Sequence, residues 1–214
     1  RLVRDWSSDV CSSDLASSGT AKICGFDIFE QALEIRKLIG YLPEIPPLYA
    51  DMVVYDYLAF AARLRNVPLK NTQSAVEQVI EKCSLKEVSE RIIGRLSKGY
   101  QQRVGIAQAL VHDPDILILD EPTIGLDPIQ IIEIRKLIQE LALSHTIILS
   151  SHILPEITQI CKRVIIISDG QIAAVDSLDA LTTRLRKGER LLLKVRQNSN
   201  EILEIGRASG RERV

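Results

Sequence analysis

Aromatic side chains are scarce in these 214 residues, at 4% of the chain. Any core must therefore be built from Ile, Leu, Val and Ala. Cysteine is equally thin: Cys11, Cys24, Cys83 and Cys161 are far apart and form no C-x-x-C pair. That spacing argues against a zinc site or a disulfide framework and fits a reducing cytosol. No apolar run approaches the roughly 18 residues that would cross a bilayer, so a membrane role has to come through a partner. Charge of one sign is not in excess either. A net charge of -1 gives no electrostatic footprint for nucleic acid or for an anionic membrane surface. What remains, 46% hydrophobic and 26% charged residues, is the composition of one globular domain able to bury a substantial core.

The two ends do not read like the middle. Residues 1–15 have no hydrophobic period and repeat Ser-Ser-Asp twice. By composition alone they suit a disordered polar tail. The stretch Asp5 to Leu15 also back-translates to something resembling a common sequencing adapter, and Ile205 to Val214 resembles one read the other way, with Gly210 as a mismatch. Residues 1–15 and 205–214 are accordingly expected to be adapter-derived tails and are set apart from the fold.

Between them, short apolar runs alternate with helical periods. Thr20–Gly25 reads as a strand and Phe29–Lys37 as a helix; Leu38–Leu42 is a second apolar run, ended by Pro43, Pro46 and Pro47. Val54–Leu64 and Thr72–Cys83 have amphipathic helical spacing. Ser97 suits an N-cap for a helix running to about Val111. Asp115–Leu119, Thr146–Leu149 and Val164–Ile167 read as buried strands, separated by helices at Ile129–Leu143 and Leu154–Ile160. Leu178–Leu185 reads as a further helix and Arg190–Val195 as a strand. This alternation predicts an α/β fold with a parallel sheet covered by helices on both faces.

The chemistry centres on Ile116 to Thr123. Four consecutive apolar residues predict a strand buried on both faces, ending in Asp120 and Glu121. Ligands of open α/β sheets bind at that edge. In phosphoryl transfer the first carboxylate suits Mg2+, directly or through water, and the second suits a base that polarises the attacking water. In isolation, such a strand end is as often two solvated acids. Upstream, however, Leu96-Ser97-Lys98-Gly99-Tyr100-Gln101-Gln102-Arg103 opens a helix with a hydroxyl and free backbone N–H groups, which suit a phosphate. Downstream follow Gly125-Leu126-Asp127-Pro128 and Ser150-Ser151-His152, and well before them Ile39 to Glu44. His112 and His145 read as unremarkable surface residues.

These motifs, in this order, resemble those of ABC ATPases. Leu96 to Gln101 is similar to the family's signature, departing at Lys98 and Tyr100, in a variant like those of ABC-2 exporters and the gliding-motility ATPase. Gly125 to Pro128 resembles the D-loop, Ser150 to His152 the H-loop, and Ile39 to Glu44 the Q-loop, with Glu44 where Gln is common. The resemblance implies a P-loop NTPase-type α/β domain over residues 16–188, with a helical subdomain, and the start of a C-terminal extension over 189–204. It implies ATP and Mg2+ as cofactors. Asp120 would serve the metal, Glu121 and His152 catalysis, and Glu44, Ser97, Lys98, Gly99, Tyr100, Gln101 and Asp127 the nucleotide. It further implies two partners, a second ATPase subunit and a membrane permease docking near Pro43 to Tyr57. The location would be cytoplasmic and peripheral on the inner face of the membrane.

The family's G-x-x-x-x-G-K-[ST] loop occurs nowhere in the sequence. Its first strands and phosphate grip are expected to be missing, and the chain to be inactive by itself. Two other readings stand beside the exporter ATPase. One is a soluble ABC ATPase acting on ribosomes or DNA, for which residues 40–96 leave no room for the usual insertions. The other is a non-catalytic remnant.

Overall fold

The computed structural model describes residues 19–168 and 171–177. Residues 1–175 and 176–214 form separate compact units, and only Asp176 and Ser177 of the second are described. Both expected tails, the helix at 178–185 and the strand at 190–195 lie outside the described residues.

The chain opens with a hairpin where one strand was expected. β1 (Lys22–Ile23) pairs antiparallel with β2 (Phe26–Asp27) across Cys24 and Gly25, whose φ values are 50° and 86°. Two successive left-handed residues make a tight reversal, and the apolar pattern carries no sign of it. The Asp27 carboxylate then accepts from the N–H groups of Phe29 and Glu30 at 2.9 and 3.3 Å. That turn delays α1 to Ala32–Leu38, three residues later than its periodicity suggests.

β3 (Ile39–Leu42), β4 (Ile116–Asp120) and β5 (Thr146–Ser150) form a parallel sheet in that order. Leu42 stands opposite Leu119, and Asp120 opposite Ser150. α2 (Val54–Leu64) has the expected limits. α3 (Leu69–Lys82) starts one turn early because its first turn is solvent-exposed and shows no apolar period. α4 (Lys98–Leu110) is capped by Ser97, as expected. α5 (Pro128–Leu141) and α6 (Leu154–Ile160) complete the helices among the described residues.

Two expectations about the sheet need correcting. β4 is buried on one face only: Leu117 and Leu119 are fully buried, while Ile116 and Ile118 are half-buried. The expected strand at Val164–Ile167 forms as β6 (Arg163–Ser168), but it pairs with β7 (Gln171–Ser177) in a separate sheet. Its apolar run encodes burial on both faces that the described residues do not supply. Ile165 remains 55% exposed, and so does Ile148 of β5 at 53%.

α4 is the centre of the packing. Val104, Gly105, Ile106 and Ala107 are all buried, since one side of the helix meets the sheet and the other meets α2 and α3. α2, α3 and two short 3-10 turns (Lys86–Val88 and Ile93–Arg95) thus form the expected helical subdomain around Leu58, Val76, Leu85 and Ile93. Contact with the sheet depends on glycine. A Cβ at Gly40 would stand 2.1 Å from the Ala109 carbonyl oxygen, and one at Gly105 2.7 Å from Leu42 Cδ1. Burial pushes the Cys83 thiol in this core up to about 12, so it is inert at neutral pH.

The two histidines expected at the surface are instead half-buried ties between segments. His112 Nε2 lies 3.1 Å from the Ile39 carbonyl oxygen, and His145 Nδ1 lies 2.8 Å from that of Pro114. Burial lowers the His112 pKa, and Arg65 lowers it further; the Ile39 contact and Asp113 oppose this only in part. A histidine held neutral by the fold leaves stability intact above its unfolded pKa, about 6.5, and removes it as pH falls towards the folded value. Urea titrations across pH 7 to 5 are expected to show this loss, and His112→Gln to flatten it. Gly40→Ala is expected to destabilise by about 3 kcal/mol, because the clash is with backbone and the strand or helix must shift. A shift below about 0.5 kcal/mol would contradict that packing.

Candidate functional site

The parallel register brings the C-terminal ends of β4 and β5 together, and with them four polar residues. Asp120 is 4% exposed. Its Oδ1 accepts a hydrogen bond from Ser150 Oγ at 2.5 Å, and the same Ser150 oxygen accepts from the Glu121 N–H at 3.0 Å. One hydroxyl therefore fixes both the aspartate and the backbone beside it. Ser150 stood in the sequence motif without a role; its place directly opposite Asp120 in the register supplies one. Tyr41 of β3 also faces this charge. Burial, and then Asp120, raise its pKa, so its phenol stays protonated.

Immediately after the strand the chain turns through Glu121 at φ 45°, a left-handed conformation that a residue with a side chain rarely adopts. The reversal continues with Ile124 N–H donating to the Glu121 carbonyl at 3.1 Å and with Gly125 at φ 69°. It turns the Glu121 carboxylate toward the end of β5, where His152 Nδ1 lies 2.9 Å from Oε1. Glu121 is largely buried and His152 largely exposed, with side chains 16% and 65% accessible. The expected base and the expected histidine are thus in direct contact.

Asp120 Oδ2 and Glu121 Oε2 are shielded from solvent and have no hydrogen-bond partner among the described residues. Buried carboxylate oxygens left this way are costly unless something else satisfies them. They are hard anionic donors of the kind Mg2+ takes, usually one or two at a time with the remaining positions filled by water and phosphate. No group of three or more His, Cys, Asp or Glu side chains that could hold a metal ion is found among the described residues. Glu44 is half-buried two residues beyond β3, past the same edge of the sheet.

A second group gathers between the N-termini of α4 and α5. Ser97 Oγ accepts from the Tyr100 N–H at 3.4 Å. Asp127 Oδ1 accepts from the N–H groups of Ile129 and Gln130 at 3.0 and 2.9 Å. Both are helix caps, which accounts for them structurally before any ligand is considered. They flank an open cleft of about 280 Å³ that Gly99, Tyr100 and Arg103 also line. A Cβ on Gly99 would come 2.7 Å from the Gln130 side chain, so this glycine sets how closely the two helices meet.

Three of the expected nucleotide-contacting residues, Glu44, Lys98 and Gln101, lie outside the cleft lining. The Gln101 amide donates to the carbonyls of Ile93 and Leu96 at 3.2 and 3.3 Å, fastening α4 to the turn before it. Lys98 reaches toward the Glu121–Leu126 turn, its ammonium 3.7 Å from where a Cβ on Gly125 would be.

Both the sequence and the fold have matches among known proteins. The sequence model of the family described as ABC transporter matches residues 10–124, more than half of the chain. The chain belongs to that family.

It is 41% identical over 173 residues to the bacitracin transport ATP-binding protein BcrA of Bacillus licheniformis, covering 80% of this chain and 56% of that protein. It is 35% identical over 167 residues to the ABC transporter ATP-binding protein NatA of Bacillus subtilis (strain 168), covering 77% of this chain and 68% of that one. Among solved structures, cbiO1 from Clostridium perfringens, part of the ABC transporter complex cbiONQ, superposes with a TM-score of 0.73 at 26% identity. That match covers 87% of this chain and 75% of the other. The chain spans a little over half the length of the Bacillus licheniformis relative.

Ser150→Ala would leave Asp120 Oδ1 and the Glu121 N–H short of their shared partner. We expect a loss of about 1 to 3 kcal/mol in urea unfolding. Ser150→Thr, which keeps the hydroxyl, is expected to recover most of it; equal losses in the two variants would show that the bond contributes nothing.

Proposed function

We propose that this chain belongs to the ATP-hydrolysing subunit of an ABC exporter, one that powers transport through a separate membrane permease. The observation that carries the reading is the contact between His152 and Glu121, beside two buried carboxylate oxygens that have no partner among the described residues. Relatives whose names specify bacitracin transport and probable multidrug transport support export as the task.

In this reading Asp120 holds Mg2+ through Oδ2, directly or by way of water, while Ser150 keeps the carboxylate in place. When bound, the ion neutralises charge on the phosphate oxygens. Glu121 orients and deprotonates the attacking water through its inward oxygen. His152 holds the other Glu121 oxygen and would serve the terminal phosphate of a bound nucleotide. Glu44 serves the metal or its water from beyond β3.

Ser97, Gly99 and Tyr100, with Lys98 and Asp127 close by, form the half that a second ATPase subunit would use at its own nucleotide. The partners are therefore another ATPase subunit and a permease. Docking of the permease near Pro43 to Tyr57 is favoured by the exposed Ile45 and Tyr49, 82% and 55% accessible. Among the described residues no helix is long and apolar enough to cross a membrane, so the location proposed is the inner membrane face, held through the permease.

The 214 residues contain no phosphate-binding loop, so they are expected to show no magnesium-dependent ATP hydrolysis when purified alone. The same chain extended upstream through such a loop is expected to hydrolyse ATP, and Glu121→Gln in it to lower kcat by at least about 100-fold. Equal turnover with and without the loop, or an unaffected Glu121→Gln variant, would overturn the assignment.

A further inference from the structure

At the sheet edge opposite the carboxylates lies an open groove of about 590 Å³. Its position follows from the parallel register: Lys37 precedes β3, and His112 and Asp113 precede β4, whereas Asp120 ends β4. The other wall is the turn between α2 and α3 together with the first turns of α3, including Arg65, Asn66, Asn71 and Gln78.

Arg65 is the unusual member. It is half-buried, its Nη1 donates to the Arg36 carbonyl at 3.1 Å, and no acidic side chain among the described residues pairs with it. Burial and the neighbouring Arg36 charge both lower its pKa, so the guanidinium sits where its own charge is disfavoured. Partly desolvated cations are normally paired. Lys37, which also lines the groove, already holds Glu34 at 2.8 Å. Asp113 is the carboxylate on the lining, and it acts on His112, raising its pKa. The remaining polar groups of the lining are neutral: the amides of Asn66, Asn71 and Gln78, the last donating to Ser74 Oγ at 3.4 Å. α3 begins behind Pro68, which has no side-chain oxygen to satisfy the helix's first N–H groups.

We propose that this groove is a binding site for a small phosphorylated anion, with Arg65 as the charge that receives it. A planar guanidinium presents two parallel N–H donors that match a phosphate edge. The surrounding amides suit the remaining oxygens and whatever polar body carries them. Asp113 biases the anion toward the Arg65 and Asn71 end. The site lies apart from the proposed hydrolytic centre and does not depend on that reading.

The chain offers a clean test, because it has no phosphate-binding loop to compete. Inorganic phosphate and pyrophosphate would be titrated calorimetrically into the 214-residue chain at constant ionic strength, with the His112 ring resonances followed in parallel. Both are expected to bind saturably and to shift His112. Arg65→Gln is expected to weaken binding by about 10-fold or more, as loss of a charged hydrogen-bond pair does. Asn71→Leu, which leaves the Arg65 packing alone, is expected to weaken it as well, and covers the case in which Arg65→Gln does not fold. Lys136→Gln, on the exposed face of α5 and away from the groove, is expected to change nothing. Absence of saturable binding would overturn the assignment. So would binding that survives both groove substitutions, binding abolished by Lys136→Gln, or binding of an acidic peptide where phosphate fails.

Discussion

The contact on which the arrangement depends is the near-touching of α4 and β3 at Gly40. There is no room at that point even for a methyl group, because the Ala109 carbonyl lies where it would go. Gly105 repeats the device about one turn earlier in the helix, against Leu42 and Pro46, and Gly99 does so at the head of the helix, against Gln130. α4 is about 20 Å long, and it is pinned close to a neighbour at its start, middle and end. Being packed on the sheet on one side and on α2 and α3 on the other, it has little freedom to move separately from either. The cleft at its N-terminus is thereby held at a fixed distance from the strand ends. A displacement of the Leu42–Pro46 segment, which contains Glu44, has to be shared by the helix that carries Ser97.

The carboxylate pair shows the opposite economy. Instead of satisfying Asp120 and Glu121 completely, the fold gives each one protein partner and leaves the second oxygen buried. Ser150 secures one oxygen of Asp120, and His152 one of Glu121. The left-handed backbone at Glu121 adds to the cost, since only a well-determined surrounding holds a side-chain-bearing residue there. Ser150 supplies part of that determination by accepting from the Glu121 N–H. Stability given up at such a point is what preorganisation for a ligand requires.

Much of this was legible in the residues, for identifiable reasons. α2 was readable to its ends because one face is continuously apolar and the other polar, and α4 because Ser97 is a cap that the structure uses. Asp120 and Glu121 were readable because an apolar strand delivers them to an edge. The family was readable from the order of its motifs rather than from any one of them. Other features left no periodic trace. The hairpin at Cys24 and Gly25 depends on backbone angles that the apolar pattern does not record. The half-open face of β4 and the departure of β6 from the main sheet depend on what packs nearby, which four apolar residues in a row cannot specify. Ser150 gained its role only from the register. Arg65 looks like any charged residue in a loop until burial and the nearness of Arg36 set it apart.

The two ends of the sheet now stand in contrast, and electrostatics explains it. At the C-terminal edge, anionic oxygens lack partners, which favours a cation and whatever that cation carries. At the N-terminal edge, the Arg65 guanidinium holds a backbone carbonyl but no acidic side chain among the described residues, which favours an anion. A fold of net charge -1 has ample opposite charges with which to neutralise both internally. On the surface it does so readily, as Lys37 with Glu34 and Lys136 with Glu140 show. At Asp120, at the second oxygen of Glu121 and at Arg65 it does not, among the described residues, and there charge is held in reserve. α4 runs between the two edges, with Ser97 near one and His112 just past its end at the other. Binding at either edge would therefore act on an element already fixed to both.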